Sequence, residues 1–342
     1  MQKLTDLFPY ILIASLVSFV FTPLAVRTAR RLKLLDYPGS APHKIHQSAV
    51  PLGGGIVIAV TVLFVGFASK AASSSVWLSI LIGSTVIFIW GMLDDRYGLK
   101  PSLKLVGQLI AVAILMGLNI RVSITNSIWI DGAITVVWLV GMTNAFNFVD
   151  SMDGLALGLA GIAAAFFMLV TIDSGQPNLA KLSATVLGAS IGLFFYNAAP
   201  ARVFLGDSGA QFLGFLLAAI GLAYNPVGLP QEVSWFTPVL VLGVPIFDTV
   251  LVSFSRLVKG KPVYIAGRDH SYHRLVKLGL DSTRAVLLMQ LCGIGLGLLS
   301  FILLGTNALV ANAVFAAVVL TGIITVFLLS RQPLENLDEL ED

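Results

Sequence analysis

Long apolar runs alternate with short polar connections from one end of the chain to the other. Most runs are about 17 to 25 residues, the length a helix needs to cross roughly 30 Å of hydrocarbon. Eleven such segments lie at about 8–27, 52–69, 76–93, 105–118, 129–149, 155–172, 180–197, 209–227, 236–256, 285–304 and 308–329. They predict an all-α polytopic membrane protein, a bundle of about 11 transmembrane helices. Long alternating strands are absent, which argues against a β-barrel. One integral-membrane domain over 1–330 and an acidic tail over 331–342 account for the chain.

Composition agrees with this pattern. Only 11% of residues are charged, against about 25% in a soluble domain. Mean hydropathy is +0.91. The positive cluster near the start, Arg27 to Lys33, follows the first apolar segment instead of preceding it. That is the wrong order for a signal peptide, so the segment is expected to be retained as the first span. The lone Cys292 lies in an apolar run, where packing is its expected role and neither a disulfide framework nor a thiolate metal site is available.

Charge then sets an orientation. With the N-terminus outside, the inner segments hold Arg27, Arg30, Arg31, Lys33, Lys44, Arg96, Lys100, Lys104, Arg202, Arg256, Lys259, Lys261, Arg268, Arg274, Lys277, Arg284 and Arg331. Of the 21 basic residues, only Lys3, Lys70, Arg121 and Lys181 fall outside. The positive-inside rule therefore predicts an outer N-terminus and a cytoplasmic tail. A basic inner face attracts anionic lipid headgroups and anionic substrates alike. No soluble basic domain is present to bind nucleic acid.

Topology does not explain the acids and amides. The third span ends "FIWGMLDDRYG", placing Asp94 and Asp95 side by side. The fifth ends "NAFNFVDSMDG", with Asn144, Asn147, Asp150 and Asp153 at every third position, a slowly winding stripe if the helix continues. "FLGDSGAQF" puts Asp207 just ahead of the eighth span, which Gly209 is expected to begin, and "VPIFDTVLV" carries Asp248 in the ninth. Each has a structural explanation: Asp207 a helix cap, Asp153–Gly154 a turn, Asp248 an interhelical pair. Their convergence on one face is harder to explain that way, since polar groups near hydrocarbon are costly and usually functional. Carboxylates sharing a cleft repel, and a divalent cation relieves the conflict. All-oxygen ligands suit Mg²⁺ or Mn²⁺, commonly held by one or two carboxylates and substrate phosphates.

Two inner loops supply the opposite charge. Loop 28–52 carries His43, Lys44 and His46 before a glycine run, and loop 257–284 carries Lys259, Lys261, Arg268, His270, His273 and Arg274. All four histidines lie there, placed to bind phosphate oxygens or balance developing charge. No His-x-x-x-His helix or cysteine partner supports zinc, and "KGKP" lacks the frame of a phosphate loop. Gly154, Gly158 and Gly161, like Gly293, Gly295 and Gly297, are expected to be helix-packing positions.

Six stretches in order, "HKIHQSAVPLGGG", "GMLDDRYGLKPSLKLVGQ", "NAFNFVDSMDGLALG", "FFYNAAPARVFLGDSGAQFLGF", "VPIFDTVLV" and "DHSYHRLVKLGL", resemble the polyprenyl-phosphate N-acetylhexosamine 1-phosphate transferases of glycosyltransferase family 4. The resemblance implies Mg²⁺-dependent transfer of an amino-sugar 1-phosphate from a UDP-N-acetylhexosamine to undecaprenyl phosphate, releasing UMP at the cytoplasmic face of the bacterial inner membrane. Eleven spans with an outer start are also the family's pattern, and a homodimer is compatible with it. Carried over by motif, Asp207 is the principal metal ligand, with Asp95 assisting. Asp94 and Asp95 form the catalytic pair, joined by His270 and His273. His46, Lys104, Asn144, Asn147, Asp150, Asp153, Asn197, Arg268 and Arg274 bind substrate.

Two departures stand out. Tyr272 occupies a position where the family usually has histidine, and His43 replaces a common arginine. The triple-histidine run of the phospho-MurNAc-pentapeptide transferases is missing, which favours a simpler donor, UDP-N-acetylglucosamine first among them, with that branch as the alternative. From another class, a secondary transporter would also explain many spans and intramembrane acids. Transporters, however, place their site near the bilayer midplane between internal repeats, whereas here the acids crowd one face and the motifs do not repeat.

Overall fold

The computed structural model describes residues 4–38, 49–69, 74–226, 229, 231–263, 267 and 269–331. All eleven apolar segments are helical within these residues. They are α1 (Phe8–Arg31), α2 (Gly54–Ala68), α3 (Ser75–Tyr97), α4 (Pro101–Gly117), α5 (Ile128–Val149), α6 (Leu155–Asp173), α7 (Pro177–Asn197) and α8 (Gly206–Ala223). After the short α9 (Gln231–Ser234) come α10 (Thr237–Val241) and α11 (Gly243–Val258), the small α12 (Ser271–Lys277), then α13 (Ser282–Leu303) and α14 (Ala308–Ser330). Strands β1 (Leu35–Asp36) and β2 (Val50–Pro51) pair antiparallel.

Length separates these helices. Among the described residues, eight are long and apolar enough to cross a membrane, and the bent pair α9–α10 with α11 brings the number to nine. α2 and α4 fall short, at 15 and 17 residues. The segment expected as one span over 236–256 is instead broken by 66°. Pro245 sits in the first turn of α11, where its ring and missing N–H prevent α10 from running on.

α8 is the central post. It packs against α2, α3, α5 and α6, and every side chain from Ser208 to Gly221 is buried. A helix apolar on all sides is expected to be surrounded. At the periphery, α14 buries only Ala311 and Val326. Cys292 is exposed on α13, so packing within the bundle is not its role.

Candidate active site

The turn that presents the acidic pair is built locally. Gly98, at φ +62°, ends α3 in the left-handed conformation and returns its N–H to the Asp94 carbonyl. Pro101 then opens α4. Asp94 and Asp95 thus occupy the last turn of α3, the end whose dipole disfavours carboxylates by about 0.3–1 kcal/mol each.

Partners from other helices offset that cost. Asp94, almost fully buried, forms an ion pair with Lys104 and accepts the Leu99 N–H at 2.8 Å. Lys104 also reaches Asp207 Oδ2 at 3.0 Å. Asp95 points the other way. Its Oδ1 accepts the Asp207 N–H at 2.7 Å, and its Oδ2 accepts the Ser208 N–H at 3.1 Å and the Ser208 hydroxyl at 2.5 Å. A carboxylate of α3 therefore caps the start of α8, where the dipole favours it.

The start of α8 differs from the sequence expectation. The helix begins at Gly206, so Asp207 lies within its first turn and is not its cap. Gly206 has φ +71°, and a Cβ there would sit 2.8 Å from both Asp95 oxygens. The glycine run of the first loop packs against this same place. Gly54 and Gly55 donate their N–H groups to the carbonyls of Phe204 and Leu205 at 2.9 and 3.0 Å.

One turn deeper lies a second polar layer, of which the sequence reading named only Asn144. Gln108 exchanges hydrogen bonds with Asn144 at 2.9 and 3.2 Å and reaches Gln211 at 3.3 Å. Gln108 and Gln211 lie four residues after Lys104 and Asp207, so i+4 spacing was the available signal.

The expected Asn/Asp stripe does not continue as helix. α5 stops at Val149, Asp150 follows it, and Gly154 turns the chain at φ +73° into α6. Asp153 accepts the Ala201 N–H at 2.8 Å, tying that turn to the loop before α8. Burial pushes the Asp150 carboxyl well above the usual carboxylate range, and the charges of Asp207, Asp95 and Asp153 push it the same way. Asn197 donates to the Val203 carbonyl at 2.9 Å and so braces the loop leading to Asp207.

The second basic loop is anchored by buried charge. Arg256 holds Asp269 through two 2.7 Å bonds. Burial would raise the Asp269 carboxyl, but the Arg256 bonds and charge outweigh it and hold the group below its ordinary value. Arg274 is fully buried, donating to the Asp269 and Leu329 carbonyls and the Ser255 hydroxyl. All its nitrogens are thereby committed within the protein. His270 bonds Asp248 at 2.8 Å and packs its ring edge-on to Phe148, 6.2 Å between centroids. The Tyr272 hydroxyl and His273 Nε2 are 2.8 Å apart. His46, Arg268, His43 and the acidic tail 332–342 lie outside the described residues.

Among the described residues, no three His, Cys, Asp or Glu side chains are grouped so as to cage a metal. The centre instead gathers Asp94 and Asp207 at Lys104, with Asp95 on the Asp207 N–H and the Asp150 carboxyl feeling the charges of Asp207 and Asp95. That excess of negative charge is the surrounding a divalent cation fits, since Mg²⁺ needs only one or two carboxylates when phosphates complete its shell.

Comparison with known proteins decides the family. Residues 77–225 match the profile of glycosyl transferase family 4. A Bacillus subtilis protein named probable undecaprenyl-phosphate N-acetylglucosaminyl 1-phosphate transferase is 31% identical, covering 82% of this chain and 80% of the relative. The chain belongs to glycosyl transferase family 4. A Mycobacterium leprae decaprenyl-phosphate N-acetylglucosaminephosphotransferase is 29% identical over 94% of this chain and 90% of its own length. A Halalkalibacterium halodurans phospho-N-acetylmuramoyl-pentapeptide-transferase is 31% identical over 78% and 89%. The family match spans α3 to α8 and so includes Asp94, Asp95, Lys104, Asn147 and Asp207. Membership of a transferase family answers the transporter alternative.

Proposed function

We propose that this member of family 4 transfers N-acetylglucosamine 1-phosphate from UDP-N-acetylglucosamine to undecaprenyl phosphate and releases UMP. The observation that carries the reading is the Asp207 carboxylate, held by Lys104 at the head of the central helix. It stands within the segment shared with relatives named for this transfer.

Asp207 is assigned as the principal holder of Mg²⁺, with substrate phosphates completing the shell. An ion held by Asp207 would supply positive charge to screen the diphosphate and the departing UMP. Asp95, whose oxygens are taken up by the Asp207 and Ser208 groups, aims Asp207 and stands outside the ligand set. An oxygen of the acceptor phosphate attacks the sugar-bearing phosphorus. The new P–O bond forms as the bond to the bridging oxygen breaks, and UMP leaves with that oxygen. No proton need be taken from the acceptor. Lys104 ties up Asp94, so Asp94 is a poor nucleophile and direct attack is the simpler route. Beside the pair lies an apolar groove of about 310 Å³, lined by Leu32, Phe88, Met92 and Leu93 with Arg96 at its rim. The groove suits a polyprenyl chain entering from the bilayer.

Seventeen of the 21 basic residues favour a cytoplasmic face for this site, with eleven crossings, an outer N-terminus and the bacterial cytoplasmic membrane as its setting. The Halalkalibacterium relative favours a second reading, in which the donor is UDP-MurNAc-pentapeptide. The test is UMP release by detergent-purified protein given undecaprenyl phosphate and either donor, with Mg²⁺ or EDTA. Lipid-dependent, EDTA-sensitive release with UDP-N-acetylglucosamine is expected. Release only with the pentapeptide donor would replace the donor, and none with any UDP-sugar would overturn the reaction.

A further inference from the structure

Asp248, in "VPIFDTVLV", takes no part in the chemistry above, yet it is a carboxylate 1% exposed. Its two oxygens do different work. Oδ1 accepts the Ser271 N–H at 2.6 Å and the Ser271 hydroxyl at 2.5 Å, which caps α12 from a neighbouring helix. Oδ2 lies 2.8 Å from Nδ1 of His270. A carboxylate engaged by these donors only accepts, so Nδ1 of His270 carries the hydrogen, and the imidazole meets anything else through Nε2. The ring rests against Phe148, two residues before Asp150, whose carboxyl feels the charges of Asp207 and Asp95. An aromatic wall on one side and a fixed carboxylate behind leave the histidine one orientation.

We infer that Asp248 is a positioning residue that fixes the tautomer and aim of His270, so that Nε2 is the atom presented to the diphosphate. Such outer partners commonly change activity about 10–100-fold when replaced. The inference rests on the transferase reading. If the unmodified protein releases no UMP, that reading fails; the inference fails only on differences among active variants.

Asp248→Asn separates the two tasks. Its amide oxygen still caps Ser271, while its NH₂ faces Nδ1 and cannot accept from it. The expected result is a kcat about 10–100-fold lower, KM for the UDP-sugar nearly unchanged, and no further loss in the Asp248→Asn/His270→Gln double variant beyond His270→Gln alone. Ser271→Ala weakens the cap and spares the histidine, so it keeps kcat and loses thermal stability. Losses that add in the double variant, or a Ser271→Ala kcat as low as that of Asp248→Asn, would overturn the inference by leaving Asp248 as a cap alone. Should Asp248→Asn not fold, His270→Gln and His270→Asn decide the question. Gln places an amide nitrogen near the Nε2 position and Asn near Nδ1, so Gln is expected to retain more kcat. Equal loss, or the reverse order, overturns the assignment.

Discussion

Two adjacent carboxylates at one helix end are tolerable because they do not share an environment. Asp94 meets the Lys104 ammonium, and Asp95 meets the positive end of another helix. Their substitutions should therefore fail differently. Asp95→Asn keeps one good acceptor and loses the charge, so about 1–2 kcal/mol of stability is expected to go with the cap. Its thermal midpoint in detergent should fall, and the Mg²⁺ concentration for half-maximal rate should hold if Asp95 is no ligand. A large shift in that concentration at unchanged stability would return Asp95 to the metal. Lys104→Met leaves Asp94 and Asp207 uncompensated beside Asp150. UMP release should drop by about 10²–10³-fold, the usual effect of deleting a charge-stabilising donor, and a near-normal rate would remove Lys104 from the mechanism. Asp207→Asn should abolish release in a protein of normal midpoint, whereas full activity saturable by Mg²⁺ would sink the metal assignment.

At the scale of elements, the head of α8 shows what a sequence conceals. Its cap lies 112 residues away in Asp95, so local pattern placed the start at Gly209 and made Asp207 a cap. The break before α11 was present as Pro245, but a run apolar throughout 236–256 outweighed a single proline. Asn197 and Arg274 carried the right motifs, yet whether a buried carbonyl such as that of Val203 or Leu329 needs a donor emerges only when the chain is folded. Gln108 and Gln211 were legible by spacing and were passed over because amides are less conspicuous than acids. The capping account makes a prediction about glycine. Gly206 and Gly98 share a left-handed φ, but only at Gly206 would a Cβ meet anything, the Asp95 carboxylate at 2.8 Å. Alanine at Gly98 should cost about 1 kcal/mol. At Gly206 it should cost more, up to about 3 kcal/mol, and lower activity as well. The reverse order in thermal unfolding would mean that Asp95 does not fix the head of α8.

For the whole molecule, the apolar rhythm predicted the helices well, because helix is the form in which a chain crossing lipid satisfies its own backbone. It predicted about 11 crossings, whereas α2 and α4, at 15 and 17 residues, are short for a bilayer about 30 Å thick. The central helix also resolves an apparent conflict. α8 must be apolar enough to be enclosed and must still present Asp207 at its head, and Asp95 and Lys104 from two other helices satisfy its polar end. Because that assembly lies at one end of the bundle, the side of the membrane it faces decides which nucleotide pool it meets. The distribution of Lys and Arg favours the inside. In a Cys292→Ser background, Lys100→Cys and Arg121→Cys put exposed thiols at opposite ends of α4. A membrane-impermeant maleimide added to intact cells should label Arg121→Cys alone, with Lys100→Cys reacting only after permeabilisation. Labelling of Lys100→Cys from outside would invert the bundle, and with it the claim that the acidic centre draws on a cytoplasmic UDP-sugar.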